Sequence, residues 1–421
     1  VLLILILKIL KEMKSFYLIC LFTLFLASCA KDKTTPVNDK KIKPIALTVE
    51  QQALVQSNNL FAFTLFNKSA AQETKENLFI SPFSVSMALS MTLNGAAGTT
   101  KTGMENTLGF GGKLATSIND YNKLLSEQLQ TIDESVTFNI ANSIWYRNTF
   151  SVLPAFVTTN KTYYNAEVSA LDFSSPSAVT AINNWVNTKT NSAIPTIIDK
   201  ITSDNVMFLI NALYFKGSWR DKFDASKTAD QNFYKEDQTV VKCKMMSQEI
   251  TYPIFGNLTF SAIELPYGQG NFVMTVLLPA TGKTTSDIVA GFNADSWKTL
   301  NDGLLPSKVQ LNFPRFKMTY ETSMNSLLSS MGMADAFNSN IANFTGINAL
   351  GGLYISEVKH KTMVEVNEEG TVAAAVTSVG ISLTSVQVPL VIKVNKPFVF
   401  VISEKSTGAI LFTGRIMDPT K

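Results

Sequence analysis

Residues 357–378 read Glu357-Val358-Lys359-His360-Lys361-Thr362-Met363-Val364-Glu365-Val366-Asn367-Glu368-Glu369-Gly370-Thr371-Val372-Ala373-Ala374-Ala375-Val376-Thr377-Ser378. In the first half, Val358, His360, Thr362, Val364 and Val366 recur at a spacing of two and share one face of a long strand. Glu368-Glu369-Gly370 breaks that pattern, and Gly370 supplies a permissive hinge. From Thr371 to Ile392 there is no charged residue. Extended, Thr371, Ala373, Ala375 and Thr377 would face one way, all small enough to slide under other elements of a packed sheet. Their neighbours Val372, Ala374, Val376 and Ser378 tolerate β structure. The segment therefore reads equally as a solvated loop or as a central strand, and a plain Ala/Val core strand is the simpler alternative.

Working outward, the C-terminal part is strand-rich. Phe398–Ile402 and Ala409–Thr413 read as a hairpin through Lys405–Gly408, and Ala262–Leu265 and Phe272–Leu278 as two strands around the turn 266–271. Phe208–Phe215 is a nearly continuous apolar run, fitting a strand buried on both faces. Val136, Phe138, Ile140 and Ile144 give a further strand. Helical signals lie earlier. Leu54, Phe61 and Leu65 share a helical face. Ser81-Pro82 offers a capping serine and a first-turn proline before Val85, Ala88, Leu89 and Thr92. Ile182, Trp185, Val186 and Lys189 form another stripe after Ser175-Pro176. Helices early and strands late imply an α+β fold.

The chain has 421 residues, 46% apolar and 16% charged, enough for a large core and against wholesale disorder. The net charge of +3 is spread without a long basic run, which gives no argument for a nucleic-acid partner. Of three cysteines, Cys20 and Cys29 lie in the N-terminal apolar stretch. Cys243 alone belongs to the body, where it reads as a small buried residue. Met13-Lys14 followed by the apolar run Phe16–Leu26 has signal-peptide length. It ends in Leu26-Ala27-Ser28-Cys29, similar to a bacterial lipobox with Cys29 as the lipidated residue; an ordinary cleaved signal is the alternative. Val1–Leu10 reads as an over-extended start or as part of the same signal. The expected organisation is a signal with lipobox over 1–29, a disordered Lys- and Pro-containing tether over 30–48, and one large domain over 49–421. An exported protein held at an outer membrane by lipid alone, or a secreted one, follows from this organisation.

Enzyme chemistry finds little support. Nucleophilic triads need an imidazole, and His360, the one histidine, sits on the apolar face of a strand. G-x-S-x-G, H-E-x-x-H and C-x-x-C are absent, and the body lacks the ligands for a zinc site. Gly282-Lys283-Thr284 and Gly109-Phe110-Gly111-Gly112 each lack a glycine of the nucleotide motif they suggest and read as turns. The expectation is a protein without catalytic residues, metal or cofactor.

In chain order the motifs resemble the serpin family over about Leu54 to Thr420. Asn77-Leu78-Phe79-Ile80-Ser81-Pro82-Phe83-Ser84, Asn211-Ala212-Leu213-Tyr214-Phe215-Lys216-Gly217-Ser218-Trp219, the strand and hinge from Glu357 to Ala375, Asn395-Lys396-Pro397-Phe398-Val399-Phe400 and Gly408-Ala409-Ile410-Leu411-Phe412-Thr413-Gly414-Arg415 carry the likeness. The resemblance implies three β-sheets, eight or nine helices and an exposed reactive-centre loop. It implies a monomeric inhibitor whose loop is cleaved by a target endopeptidase and then inserts into a sheet as a new strand.

Residue by residue, it assigns the hinge to Glu368, Glu369, Gly370, Thr371, Ala373, Ala374 and Ala375. It assigns a sheet-opening cluster to Ser81, Ser84, Asn211 and His360, and the start of insertion to Trp219, Arg315 and Glu368, with Arg315 expected to pair with Glu368. Counting from Glu368 puts the reactive bond at Thr384-Ser385, within a window from Ser382 to Val388. With no charged residue there, an elastase- or subtilisin-like target fits better than a trypsin-like one. A non-inhibitory binding or carrier protein of the same family is the alternative. Three positions depart from the family pattern: Ser192-Ala193 stands where Gly-Lys is frequent, and Val372 where an acidic residue is frequent.

Overall fold

The protein is described by a computed structural model covering residues 42–73, 76–203, 205–371 and 389–421. Cys29, the residues 373–375 of the hinge and the bond Thr384-Ser385 lie outside the described residues. Nine α-helices occur among the described residues: α1 Val49–Gln72, α2 Pro82–Leu93, α3 Gly98–Leu108, α4 Ala115–Thr131, α5 Pro154–Tyr164, α6 Pro176–Lys189, α7 Thr285–Gly291, α8 Ala294–Asp302 and α9 Asn325–Leu328. Their starts follow local chemistry. Thr48 and Gln51 form a capping box at α1, and Ser81 accepts from the Ser84 amide with Pro82 in the first turn of α2.

The strands are β1 Leu78–Ile80, β2 Val136–Arg147, β3 Glu167–Leu171, β4 Met207–Ser218, β5 Ala229–Tyr234, β6 Val240–Gly256, β7 Phe260–Tyr267, β8 Phe272–Pro279, β9 Leu305–Pro314, β10 Phe316–Ser323, β11 Lys359–Asn367, β12 Gly370–Thr371, β13 Leu390–Lys393, β14 Phe398–Glu404 and β15 Ile410–Ile416. Six form a sheet in the order β10-β11-β12-β4-β2-β3. The other nine form a network ordered β1-β15-β14-β8-β7-β6-β9-β13, with β5 branching from β6. Where three sheets are expected, hydrogen bonding gives two networks. The reason is β6, whose 17 residues pair first with β5, then along β9, and at the end with β7, so one strand runs through two sheets.

A chain of phenyl rings joins the two networks. Phe138 and Phe215 of the six-stranded sheet meet Phe272 and Phe412 of the other at ring separations of 5.7 to 6.0 Å, and Phe79 stacks between Phe400 and Phe412. A second, smaller core lies on the front of the six-stranded sheet. There Ile182 and Val186 of α6, with Ile194, Ile197 and Ile198 beyond it, cover Ile210 and Ala212 of β4.

Three sequence expectations need correction. The stretch read as a tether overlaps the body at its end: Ile45 is buried, its amide donates to Ser406 Oγ (2.9 Å), and Lys43 O accepts from Asn271 (2.7 Å). The apolar run in β4 is not buried on both faces; Ile210 and Ala212 are buried but Met207, Phe208 and Leu209 only half so. This end of β4 pairs with β2 along one edge, but its other edge borders a cavity. On α6, Ile182 and Val186 are buried whereas Trp185 lies with its edge on Trp145 and Lys189 is exposed, so the stripe is narrower than read.

Candidate functional site: the hinge and the gate of the six-stranded sheet

β11 is built as the alternation requires. His360, Thr362, Val364 and Val366 face inward, and all of its nine residues but Asn367 pair with β10, from Phe316↔Val366 to Ser323↔Lys359. The strand then reverses over Glu368-Glu369. Gly370 and Thr371 pair back with Asn367 and Val366 on one side, and with Ser218 and Gly217 of β4 on the other. The segment that reads equally as loop or strand thus enters the sheet at its first two residues. Thr371 is only 3% exposed. Gly370 sits at φ +142, and a Cβ there would lie 2.1 Å from Gly217 O, so neither the conformation nor the space admits a side chain.

The turn is fastened on every side. Glu368, 4% exposed, accepts from Arg315 Nε at both oxygens (2.7 and 2.6 Å), from Arg315 Nη2 and from the Thr228 hydroxyl. Burial pushes its carboxyl up, but the Arg315 and Thr228 hydrogen bonds outweigh that and hold it below the usual carboxylate range. Trp219 donates from Nε1 to Asn367 O (2.9 Å) and from its amide to Glu369 O (2.7 Å). Its ring stacks on Tyr267 at 4.4 Å, and the Tyr267 hydroxyl meets Thr371 Oγ1 at 2.9 Å. Lys222 closes on Glu369 at 2.6 Å. The residues expected where insertion begins, Trp219, Arg315 and Glu368, are therefore brought together. Thr228, Lys222 and Tyr267 join them without any sequence signal, because each lies on another strand or loop.

Lower in the sheet, the start of α2 holds both flanking strands. The Ser81 amide donates to His360 Nε2 of β11 (3.0 Å). The Ser84 hydroxyl donates to Asn211 Oδ1 of β4 (2.5 Å), and the Ser84 amide donates to Ser81 Oγ (3.1 Å). Because Nε2 accepts, His360 is neutral with its proton on Nδ1, and burial pushes it down to about 4. Asn211 continues into β2 and α5: its amide donates to Asn142 Oδ1 (2.7 Å), whose own amide donates to Tyr164 O (2.7 Å). Among the described residues no backbone ladder joins β4 directly to β11; β12 stands between them at the top. Below lies a cavity of about 120 Å3, bordered by Ser84, Asn211 and His360.

The imidazole is committed to a backbone amide. Cys243 is 5% exposed, and its thiol is pushed up to about 11 by burial and by Asp418 and Asp230 nearby. No cluster of metal-ligating side chains occurs among the described residues.

A family model described as Serpin (serine protease inhibitor) matches residues 56–419. The chain belongs to the serpin family. A leukocyte elastase inhibitor from Xenopus laevis is 33% identical over 377 residues, spanning 85% of this chain and 97% of that protein. A corticosteroid-binding globulin from Pongo abelii is 32% identical over 391 residues, spanning 92% and 95%. Among solved structures, the thermophilic serpin Tengpin in its native state superposes with a TM-score of 0.81 at 31% identity, over 90% of this chain and 97% of that one. This serpin thus has relatives that inhibit proteases by name and relatives that bind a small molecule by name.

Proposed function

We propose that this serpin is an irreversible, suicide-substrate inhibitor of serine or cysteine endopeptidases that prefer small or apolar residues. The target cleaves the loop beyond Thr371 and forms an acyl-enzyme. The hinge side then zips into the six-stranded sheet between β4 and β11 and carries the protease with it. The observation behind this reading is Gly370-Thr371 seated between those strands, with β4 and β11 not laddered to each other among the described residues. A new strand has a place to start and an edge on each side.

The energy is of the right size. At roughly 0.5–1.5 kcal/mol net per hydrogen bond, a strand of a dozen residues releases on the order of 10 kcal/mol. Loss of one oxyanion donor already slows acyl transfer by about 10²–10³-fold, so a modest distortion of the captured protease strands the ester. The uncharged stretch from Thr371 to Ile392 favours an elastase- or subtilisin-like target. Anchoring through Cys29 at the outer membrane belongs to the same proposal.

Incubation with such proteases tests it. A complex that survives boiling in detergent, together with a large rise in melting temperature once the loop is cut, is the expected result. Cutting without a complex and without stabilisation would instead favour the carrier reading, which the corticosteroid-binding relative keeps in view.

A further inference from the structure

Ala141 and Trp145 of β2 pack into the smaller core on the front of the six-stranded sheet, and Asn139 shares their face. Asparagine is disfavoured in strands, and this one is half-buried. The outer edge of β2 is laddered to β3 only from Ser143↔Glu167 onward. At residues 139–142 that edge is open among the described residues. Beside it lies a groove of about 530 Å3, walled by β2, by the start of β3 and by the C-terminal half of α6. One wall is the half-buried Trp185 indole, whose Nε1 donates to Glu167 Oε2 at 2.8 Å. The bond fixes the ring and leaves the second carboxylate oxygen free. Lys189 Nζ rests 5.9 Å from the centre of the same ring. The amides of Asn139 and Asn165 and the hydroxyl of Thr188 also line the groove, and none of the three has a side-chain hydrogen bond among the described residues. Asn165 is held there by the left-handed end of α5, at φ 48.

We propose that this groove binds a neutral saccharide, with one pyranose ring laid against the Trp185 indole. The lining selects that class in three ways. An aromatic face takes the C–H face of a sugar ring by dispersion and weak C–H contact. Amide and carboxylate side chains each present two polar atoms in one plane, and between them they offer donors and acceptors to adjacent hydroxyls. Glu167 and Lys189 supply one charge of each sign, so a ligand with net charge gains from one what it loses to the other. The volume falls within the range of small-molecule sites, about 300–1,000 Å3, but the lining is more polar than an apolar ligand requires. Lys189 is exposed, and its flexible stem lets it swing off the ring as the sugar arrives. None of the gate residues Ser81, Ser84, Asn211 and His360 lines the groove, so a bound glycan holds the protein in place with the loop left free. The site stands whether or not the inhibitory reading does.

The test is saturation-transfer NMR on the whole protein with the methyl α- and β-pyranosides of glucose, galactose, mannose and N-acetylglucosamine. At about 10 mM each, these probes report dissociation constants of about 1 mM. At least one is expected to give saturable transfer. Asn139→Ala, and Asn165→Gly, which keeps the left-handed backbone, should each weaken it by about 2- to 10-fold, the loss of one hydrogen bond. Trp185→Leu should abolish it. Thermal melts establish that each variant is folded, and the two asparagine variants carry the test if Trp185→Leu is not. If none of these pyranosides shows transfer, the proposal is overturned. Binding that is unchanged in the variants would place the sugar elsewhere and overturn the groove. Binding of the charged counterparts glucuronate or glucosamine alone would overturn the neutral class.

Discussion

Thr371 is the position where insertion can be read most directly, because its side chain is already inside the sheet. It is 3% exposed, stands between Val366 and Gly217, and meets the buried hydroxyl of Tyr267 at 2.9 Å. Thr371→Arg places a guanidinium there with no carboxylate beside Tyr267 to receive it. An unpaired buried charge costs several kcal/mol, so the variant hinge is expected to stay out. Thr371→Val is the milder probe. It keeps the shape and strands the Tyr267 hydroxyl, at about 1–3 kcal/mol, which is about 5- to 160-fold in the rate of hinge entry if all of it is felt there. Adding Tyr267→Phe removes the stranded group and should restore most of the loss.

Entry competes with hydrolysis of the acyl-enzyme, so slower entry appears as turnover. The assay titrates a fixed amount of protease and counts the molecules of serpin consumed for each protease trapped, with the detergent-stable complex followed on a gel. Thr371→Arg should be cut without trapping, Thr371→Val should need several molecules per trap, and the double variant should approach wild type. Trapping by Thr371→Arg at wild-type stoichiometry would refute the insertion argument.

Three further outcomes follow from the same geometry. Gly370→Ala puts a Cβ 2.1 Å from Gly217 O at φ +142, so it should lower stability by about 1–3 kcal/mol in urea melts; an unchanged midpoint would contradict the close approach. His360 is held at about 4 against an ordinary 6.5, so between those values the unfolded chain binds the proton that the folded one refuses. Its contribution is fully present above about pH 6.5 and is lost as pH falls through about 4, on the order of 3 kcal/mol. His360→Gln, whose amide oxygen can still accept from Ser81, should flatten that part of the stability profile, and an identical slope would remove the burial argument. Ser192 sits at φ +64, just where glycine is frequent in the family, so Ser192→Gly should stabilise the end of α6 by about 1 kcal/mol; a destabilised variant would show that the Ser192 side chain outweighs the backbone strain.

Local chemistry alone made several elements legible. The Ser81-Pro82 start of α2, the α1 face carrying Leu54, Phe61 and Leu65, and the inward row from His360 to Val366 depend on residues within a few positions of one another. Serpin motifs in chain order pointed to Trp219, Arg315 and Glu368, and these three meet. What stayed illegible were the contacts that cross between elements. Thr228 on Glu368, Asn142 behind Asn211 and the ion pair of Asp199 with Lys359 join residues 69 to 160 positions apart, and no local pattern marks them. The β4 run looked doubly buried because apolar composition does not reveal whether a neighbouring strand is present.

The hinge shows the division most sharply. Its sequence determined that the segment after Gly370 is small, uncharged and able to extend, properties equally suited to water and to a sheet. Only the tertiary structure decided that Gly370 and Thr371 lie inside, because the deciding partners, Gly217 and Tyr267, come from strands more than a hundred residues earlier. A segment whose local energies are nearly balanced between two states takes its answer from whatever surrounds it.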